Sequence, residues 1–346
     1  MPADEDPIVT APGRTPPPTL ELVAARAGVS RATVSRVVNG STSVSQPIAE
    51  AVRRAVQELG YVPNRAARSL VSQQSQAIAL VAPEDVNRFF GDLFFAEIVS
   101  GIDARLEDSD YVLNLMVANH DPSGKTMRYL GGGAVDGAIV VSHHTSDRFL
   151  RRLTESLPVV YGGRTSVAGN DTYVVDVDNV AGGALATQRL IDRGCTRIAT
   201  IAGPLTMQSS IDRLTGWRQA LDAAGVAAGP VVDGDFTMFG GAAAMREILE
   251  WREPVDGVFV ASDLMASGAV PVLLDRGIRI PDDMALVGFD DSAAAVSTGV
   301  GLTTVRQPSR QMGWHMADIL IDVLNGAVDL PRELILPLEL VVRDSA

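Results

Sequence analysis

The sequence predicts an α/β protein in two parts: a small three-helix head, then a two-lobed body of doubly wound parallel sheets. Three observations carry that expectation. Residues 19–40 hold two short helical periods joined by a glycine turn. From Ala77 onward, short apolar runs alternate with amphipathic segments, the pattern of buried parallel strands and their crossover helices. Charge is also divided. Residues 19–72 carry an excess of four positive charges and residues 1–18 carry −2, so the body holds −15 of the net −13. A basic head on an acidic body concentrates attraction for phosphate at one end.

Residues 1–18, MPADEDPIVTAPGRTPPP, are acidic and proline-rich, without the basic start and apolar core of a signal peptide. They read as a disordered tail. Thr19 is placed to cap a first helix in which Leu20, Val23, Ala24 and Ala27 recur at i, i+3, i+4 and i+7. Gly28 supplies the turn, Val29 packs inward and Ser30 caps the second helix. There Val34, Val37 and Val38 share one face, while Ala32 and Arg36 point the opposite way, flanked by Arg31, Thr33 and Ser35. Small and hydroxylic residues let such a helix lie deep in a major groove. Arg36 can then read a guanine edge while the hydroxyls reach phosphates. Ser45 is placed to cap a third helix, whose Ile48, Val52, Ala55, Val56 and Leu59 close the core. A helix-turn-helix also occurs as plain packing. The third helix and the run GYVPNRAARSL at 60–70 favour a DNA-binding domain over residues 19–62.

Thr19–Gly40, TLELVAARAGVSRATVSRVVNG, and Glu58–Leu70, ELGYVPNRAARSL, together resemble the lactose-repressor and galactose-repressor family of bacterial transcription regulators. The resemblance runs to about Arg343 and implies that Thr19, Ser30, Arg31, Ala32, Thr33, Ser35, Arg36 and Asn39 face operator DNA. Pro63 ends the preceding segment and Asn64 can cap a hinge helix to Leu70, too short to hold alone. In the family two such helices pair in the minor groove. The matching residues are Leu70 as an apolar wedge, Ala67 for close approach, and Arg65 and Arg68 for phosphates. From the residues alone, Leu70 reads rather as a cover for the next domain, and the resemblance turns that reading to the wedge. Residues 63–76 are therefore expected as hinge and linker. One departure is Ile48-Ala49, where the family usually has Thr-Arg.

Residues 77–346 are expected to form the two-lobed core, which the resemblance makes one of the periplasmic-binding-protein type. AIALVA (77–82), YVLNLMV (111–117), GAIVV (137–141), YVVDV (173–177), RIATIA (197–202), GVFVA (257–261) and MALVGF (284–289) read as buried parallel strands. Helical patterns lie between them, among them Phe95–Leu106, Val180–Ile191, Leu214–Ala223 and Met265–Leu274. Ligands of such folds bind beyond the strands' carboxyl ends, here in a cleft between lobes.

Enzyme and metal signatures are missing. GGGAV at 131–135 follows a helical segment and precedes a strand, the reverse of a dinucleotide loop, and no P-loop, HExxH or GxSxG occurs. No cofactor or metal is expected, and no catalytic residue. The single cysteine, Cys195, suits a reducing cytosol and reads as a partly buried structural thiol. No 18-residue apolar run exists to span a membrane. A cytoplasmic protein, nucleoid-associated when bound to operator, follows.

The cleft candidates sit at strand ends. Phe94 and Phe95 open the first lobe's helix, and His143 follows GAIVVS, either to meet a ligand or to lie in an exposed loop. The resemblance gives Arg213 to effector oxygens, Asp290 to sugar hydroxyls and Phe236 to the apolar face of a ring. It also brings Ser262 and Asp263 to the cleft, with Ser262 replacing the usual Asn; an Asp after a strand is equally a helix cap. Where many sugar-responsive members have an acidic residue, this chain has Gly163, followed by Arg164. A carbohydrate is the leading effector, with a nucleobase-like or anionic ligand, helped by Arg164, left open. The expected protein is a homodimeric repressor on a pseudopalindromic operator; without terminal leucine heptads, a dimer is favoured over a coiled-coil tetramer. A core answering to a protein partner and a solute-binding protein are the alternatives.

Overall fold

The computed structural model describes residues 18–38, 43–61, 74–118, 124–147, 149–165 and 172–346. It divides into two compact units, Met1–Ser75 and Gln76–Ala346. The first holds helices α1 (Leu20–Ala27), α2 (Arg31–Val38) and α3 (Gln46–Leu59). Thr19 caps α1 by accepting from the Leu22 amide at 3.3 Å, and Gly28, at φ 67°, ends it. Val23, Ala24, Val34, Val52, Ala55 and Tyr61 form the shared core. Two expectations need correction. Ser45 stands at the N-cap position of α3 without a side-chain capping bond, and Pro47 sets the first turn instead. Ile48 is 39% exposed while Ala49 is buried, so the inward stripe begins one residue later than expected.

The second unit contains two six-stranded sheets. The first has strands β1 (Ala77–Ala82), β2 (Val112–Val117), β3 (Gly137–Val141), β4 (Val159–Gly162), β5 (Tyr173–Val177) and β11 (Glu333–Leu336), in the order β11-β5-β4-β3-β1-β2. The second has β6 (Arg197–Ala202), β7 (Ala227–Asp233), β8 (Gly257–Val260), β9 (Ala285–Asp290), β10 (Thr303–Arg306) and β12 (Glu339–Val341), in the order β12-β10-β9-β8-β6-β7. Every pairing is parallel except β10 with β12. In each sheet the strand order reverses beside the first strand, which opens a crevice at the carboxyl ends.

The first lobe's helices are α4 (Val86–Gly91), α5 (Leu93–Leu106), α6 (Lys125–Tyr129) with a π-turn at Leu130–Ala134, and α7 (Phe149–Ser156). The second lobe's are α8 (Asn179–Asp192), α9 (Gln208–Ala224), α10 (Met238–Leu249), α11 (Asp263–Asp275) and α12 (Ala294–Ser297). Helix α13 (Ser309–Leu324) returns to pack on α5 of the first lobe. The chain therefore crosses between lobes three times, after β5, after β10 and between β11 and β12.

The apolar run LILPLEL near the end of the chain is divided between two strands in different sheets. Pro337 cannot donate to a ladder, and the chain changes lobe there. The 111–117 run is an edge strand rather than a buried one, with Val112 and Leu115 exposed. Strand β7 was hidden by Gly229 and Pro230, which an edge strand tolerates, and its pairing with β6 slips register there.

Three helix pairs meet through reciprocal glycines. A methyl on Gly183 of α8 would strike the Arg213 carbonyl of α9, and one on Gly216 would strike the Val180 carbonyl. Gly101 and Gly313 do the same for α5 and α13, and Gly241 and Gly268 for α10 and α11. Backbones in these pairs touch because no side chain intervenes. The second lobe's core centres on Trp217, Phe259, Met265 and Phe289, all essentially inaccessible. Full burial of each such side chain stabilises by roughly 1.5–3 kcal/mol.

Candidate functional site

In the first unit, α2 turns Val34 inward and leaves Ser30, Arg31, Ala32 and Arg36 exposed. Ser30 Oγ accepts from the Thr33 amide at 3.1 Å, fixing the helix start; Thr33 and Ser35 lie at its margin. Arg31 forms an exposed ion pair with Glu21 at 3.2 Å, an interaction that water and salt weaken. Arg36 projects from a rigid helix, as a base-reading arginine requires. Asn39, Arg65, Ala67, Arg68 and Leu70 lie outside the described residues.

The second unit holds a cleft of about 690 Å³ between its lobes, open mouth included. Three non-glycine residues lining the cleft have left-handed backbones: Ser142 (φ 55°), Phe236 (48°) and Asp290 (108°). Such conformations are costly and concentrate where side chains must be aimed at a ligand.

Arg213 forms the floor. It rises from the second turn of α9, with the guanidinium 3.6 Å from the centre of the Phe289 ring. Its Nε donates to Asn179 Oδ1 at 2.9 Å, Nη1 to the Ala261 carbonyl at 2.7 Å and Nη2 to Gln307 Oε1 at 3.1 Å. Burial pulls its pKa down, opposed by the charges of Asp290, Asp176, Asp263 and Asp92. A guanidinium still remains charged. Asp290 Oδ1 lies 3.7 Å from Nη1. Burial pushes the Asp290 carboxyl well above the ordinary range, and Arg213 opposes that rise.

Phe236 closes one side, 5.9 Å from the Arg213 guanidinium. Across the cleft, His143 Nε2 contacts the Gly163 carbonyl at 3.2 Å and its ring stands edge-on to Tyr161. Burial lowers its pKa to about 4, so the imidazole is neutral. Arg164 joins the lobes through its Nη2, 2.5 Å from Asp212 Oδ2. Gly163 has φ 96°, and a Cβ there would meet only His143 Nε2 at 3.9 Å. Backbone conformation, rather than lack of space, favours glycine over an acidic residue at that position.

The cleft thus gathers Phe94, Phe95, His143, Arg164, Arg213, Phe236, Ser262 and Asp290. Phe95 also belongs to the first lobe's core, and Ser262 is engaged in capping α11 through the Met265 amide. Asp263 is the exception. Its carboxylate accepts from Thr304 Oγ1 at 2.7 Å and from the Ser292 amide at 2.9 Å, so it ties α11 to β10 and to the loop after β9 instead of lining the cleft.

Sequence reasoning missed Arg88, Asp92, Asp176, Asn179 and Gln307, which also line the cleft. Asp176 accepts from the Arg164 amide at 2.9 Å and from Asn179 Nδ2 at 3.0 Å, and Asn179 passes the chain of bonds to Arg213. The signal was present in YVVDVDN, where three of the last four residues are polar at the end of an apolar strand. Gln307 followed TTVR, a strand the pattern did not reveal. Three arginines (88, 164, 213) and three aspartates (92, 176, 290) border the cavity, and Arg88 and Arg164 are further paired with Glu84 and Asp212.

No group of His, Cys, Asp and Glu suited to a metal, and no helix long and apolar enough to cross a membrane, occurs among the described residues. A family profile for bacterial regulatory proteins of the lacI family matches residues 19–64, and one for a periplasmic binding protein-like domain matches 187–346. The HTH-type transcriptional regulator CelR of Thermobifida fusca is 46% identical over 336 residues, 95% of this chain and 98% of the relative. The ribose operon repressor of Escherichia coli K12 is 34% identical over 310 residues, 88% and 92% of the two chains. Among solved structures, a CelR–cellobiose complex is 44% identical, with a TM-score of 0.75 over 95% of this chain and 100% of that one. A lac repressor dimer bound to operator and an anti-inducer is 28% identical, with a TM-score of 0.84 over 95% and 99%.

Proposed function

The chain belongs to the lacI family of bacterial transcription regulators, and from that premise we propose a homodimeric repressor whose hold on a pseudopalindromic operator is set by a cellobiose-like disaccharide. One observation carries the ligand class. Arg213, Asp290 and Phe236 converge on an interlobe cleft whose other arginines, 88 and 164, are already paired with Glu84 and Asp212, offering donor, acceptor and an apolar ring face to a neutral sugar. The relative solved with cellobiose supports the choice among sugars. The anionic alternative is disfavoured, because Arg164 is already engaged by Asp212.

The switching mechanism follows from where Arg213 is anchored. Asn179 and Gln307, two of its partners, stand where the chain crosses between lobes after β5 and β10. A sugar that draws on Arg213 and Asp290 alters the bonds that set the lobe angle. Unequal affinity for the two angles moves the equilibrium, and with it the spacing of the operator-reading helices. Arg36 reads a base edge, with Ser30, Thr33 and Ser35 toward the backbone.

The test is anisotropy of a labelled pseudopalindromic operator, titrated with the protein with and without cellobiose. A cellobiose-dependent change in operator affinity supports the proposal. Operator binding indifferent to cellobiose and to other neutral sugars removes the carbohydrate effector.

A further inference from the structure

We infer that Arg88 is a second ligand-reading arginine, donating to an effector hydroxyl from the first lobe opposite Arg213 in the second; the inference rests on the carbohydrate reading above. Arg88 rises from α4, and its side chain is 11% exposed. Its Nη1 pairs with Glu84 at 3.1 Å. Its Nη2 donates to the Met207 thioether sulfur at 3.4 Å, a weak acceptor. Its Nε is buried without a hydrogen-bond partner among the described residues. Buried donors are rarely left so, because the lost hydration is not recovered.

The surroundings fix this guanidinium in place. Glu84 accepts from Ser142 Oγ at 2.6 Å and contacts His144 Nε2 at 3.3 Å, so the carboxylate that orients Arg88 is itself held. The guanidinium lies 5.5 Å from the Phe236 ring, whose other cationic neighbour is Arg213. Arg88 borders the cavity around Arg213 and also the adjoining chamber toward Phe239. Met207 and Phe236 belong to the second lobe and Glu84 to the first, so Arg88 spans the gap between the lobes. A ligand oxygen beside it satisfies Nε and replaces the thioether. Because Glu84 already neutralises the guanidinium, a hydroxyl suffices and no anion is demanded.

Arg88→Lys keeps a cation opposite Glu84 but removes the Nε–H and the planar fork. The full-length protein and this variant are titrated calorimetrically with cellobiose and its monodeoxy analogues. The variant is expected to bind cellobiose about tenfold more weakly, the worth of one good hydrogen bond to a charged donor. One deoxy analogue, about tenfold weaker than cellobiose on the parent, should lose most of that penalty on the variant, because its missing hydroxyl is the partner of Arg88. A packing role would weaken every analogue by the same factor, and that result overturns the inference. Arg88→Gln gives the same readout should lysine disturb Glu84. If the parent binds neither cellobiose nor any other neutral sugar, the carbohydrate reading falls and this inference with it. If cellobiose binds and the penalties are uniform, the inference alone falls.

Discussion

Gly183 of α8 lies directly against the main-chain carbonyl of Arg213 on α9, and a methyl group does not fit between them. The same α8 begins at Asn179, whose side chain takes the Arg213 Nε–H. One helix contact therefore sets both where Arg213 stands and what orients it. Gly183→Ala should cost about 1–3 kcal/mol of stability through overpacking. It should also weaken cellobiose binding, because α9 must shift. Thermal melts and calorimetry check both. A stable variant with parental sugar affinity would show that this contact does not position Arg213.

How much of this was legible follows from where the information lay. The head was written in local signals: Thr19, Gly28 and Ser30 mark helix ends by their own chemistry, and the valines of α2 repeat at helical spacing. Buried central strands such as GAIVV were equally plain. The interlobe crossovers were not. Pro337 splitting LILPLEL, and Asp176, Asn179 and Gln307 joining at Arg213, depend on residues up to 131 positions apart in the chain. Asp263 misled for a related reason: an aspartate beginning a helix after a strand looks the same whether it faces a ligand or Thr304.

Arg213 is predicted to serve both stability and binding. Arg213→Met leaves Asp290, Asp176 and Asp92 buried without their shared cation, and breaking such pairs costs roughly 3–5 kcal/mol. Raised carboxyl pKa values absorb part of that cost by keeping protons. Urea unfolding with and without cellobiose separates the effects. The variant should be less stable and gain nothing from added sugar, whereas the parent gains stability by mass action. Sugar-dependent stabilisation equal to the parent's would take Arg213 out of the ligand site.

Arg36 tests the head independently of the cleft. It is exposed on a helix whose core face is Val34, so Arg36→Ala should leave the melting temperature unchanged. Loss of a bidentate guanine contact should weaken operator binding by about 1–3 kcal/mol. Binding to random DNA should fall less, which makes the ratio of the two the decisive number. An unchanged ratio would reassign Arg36 to the phosphate backbone.

His143 gives the fold a pH dependence of definite sign. Its pKa is about 4 because burial disfavours the charged ring, whereas an unfolded chain's histidine titrates near 6.5. Between those values the unfolded chain holds a proton that the folded chain does not, so this residue removes stability as pH falls. The buried carboxyls of Asp290, Asp176, Asp92 and Asp263, all raised by burial, act with the opposite sign. They hold protons more readily when folded, so acid favours them. A single melting curve against pH therefore mixes both contributions. The difference between His143→Asn and the parent isolates the histidine. At pH 7.5 the variant should be less stable, having lost the edge contact with Tyr161 and the bond at Gly163. By pH 5 the gap should narrow by up to about 2 kcal/mol, since one pKa unit is worth about 1.4 kcal/mol. Parallel stability curves across that range would mean that His143 titrates alike in both states, and that the cleft admits enough water to charge it.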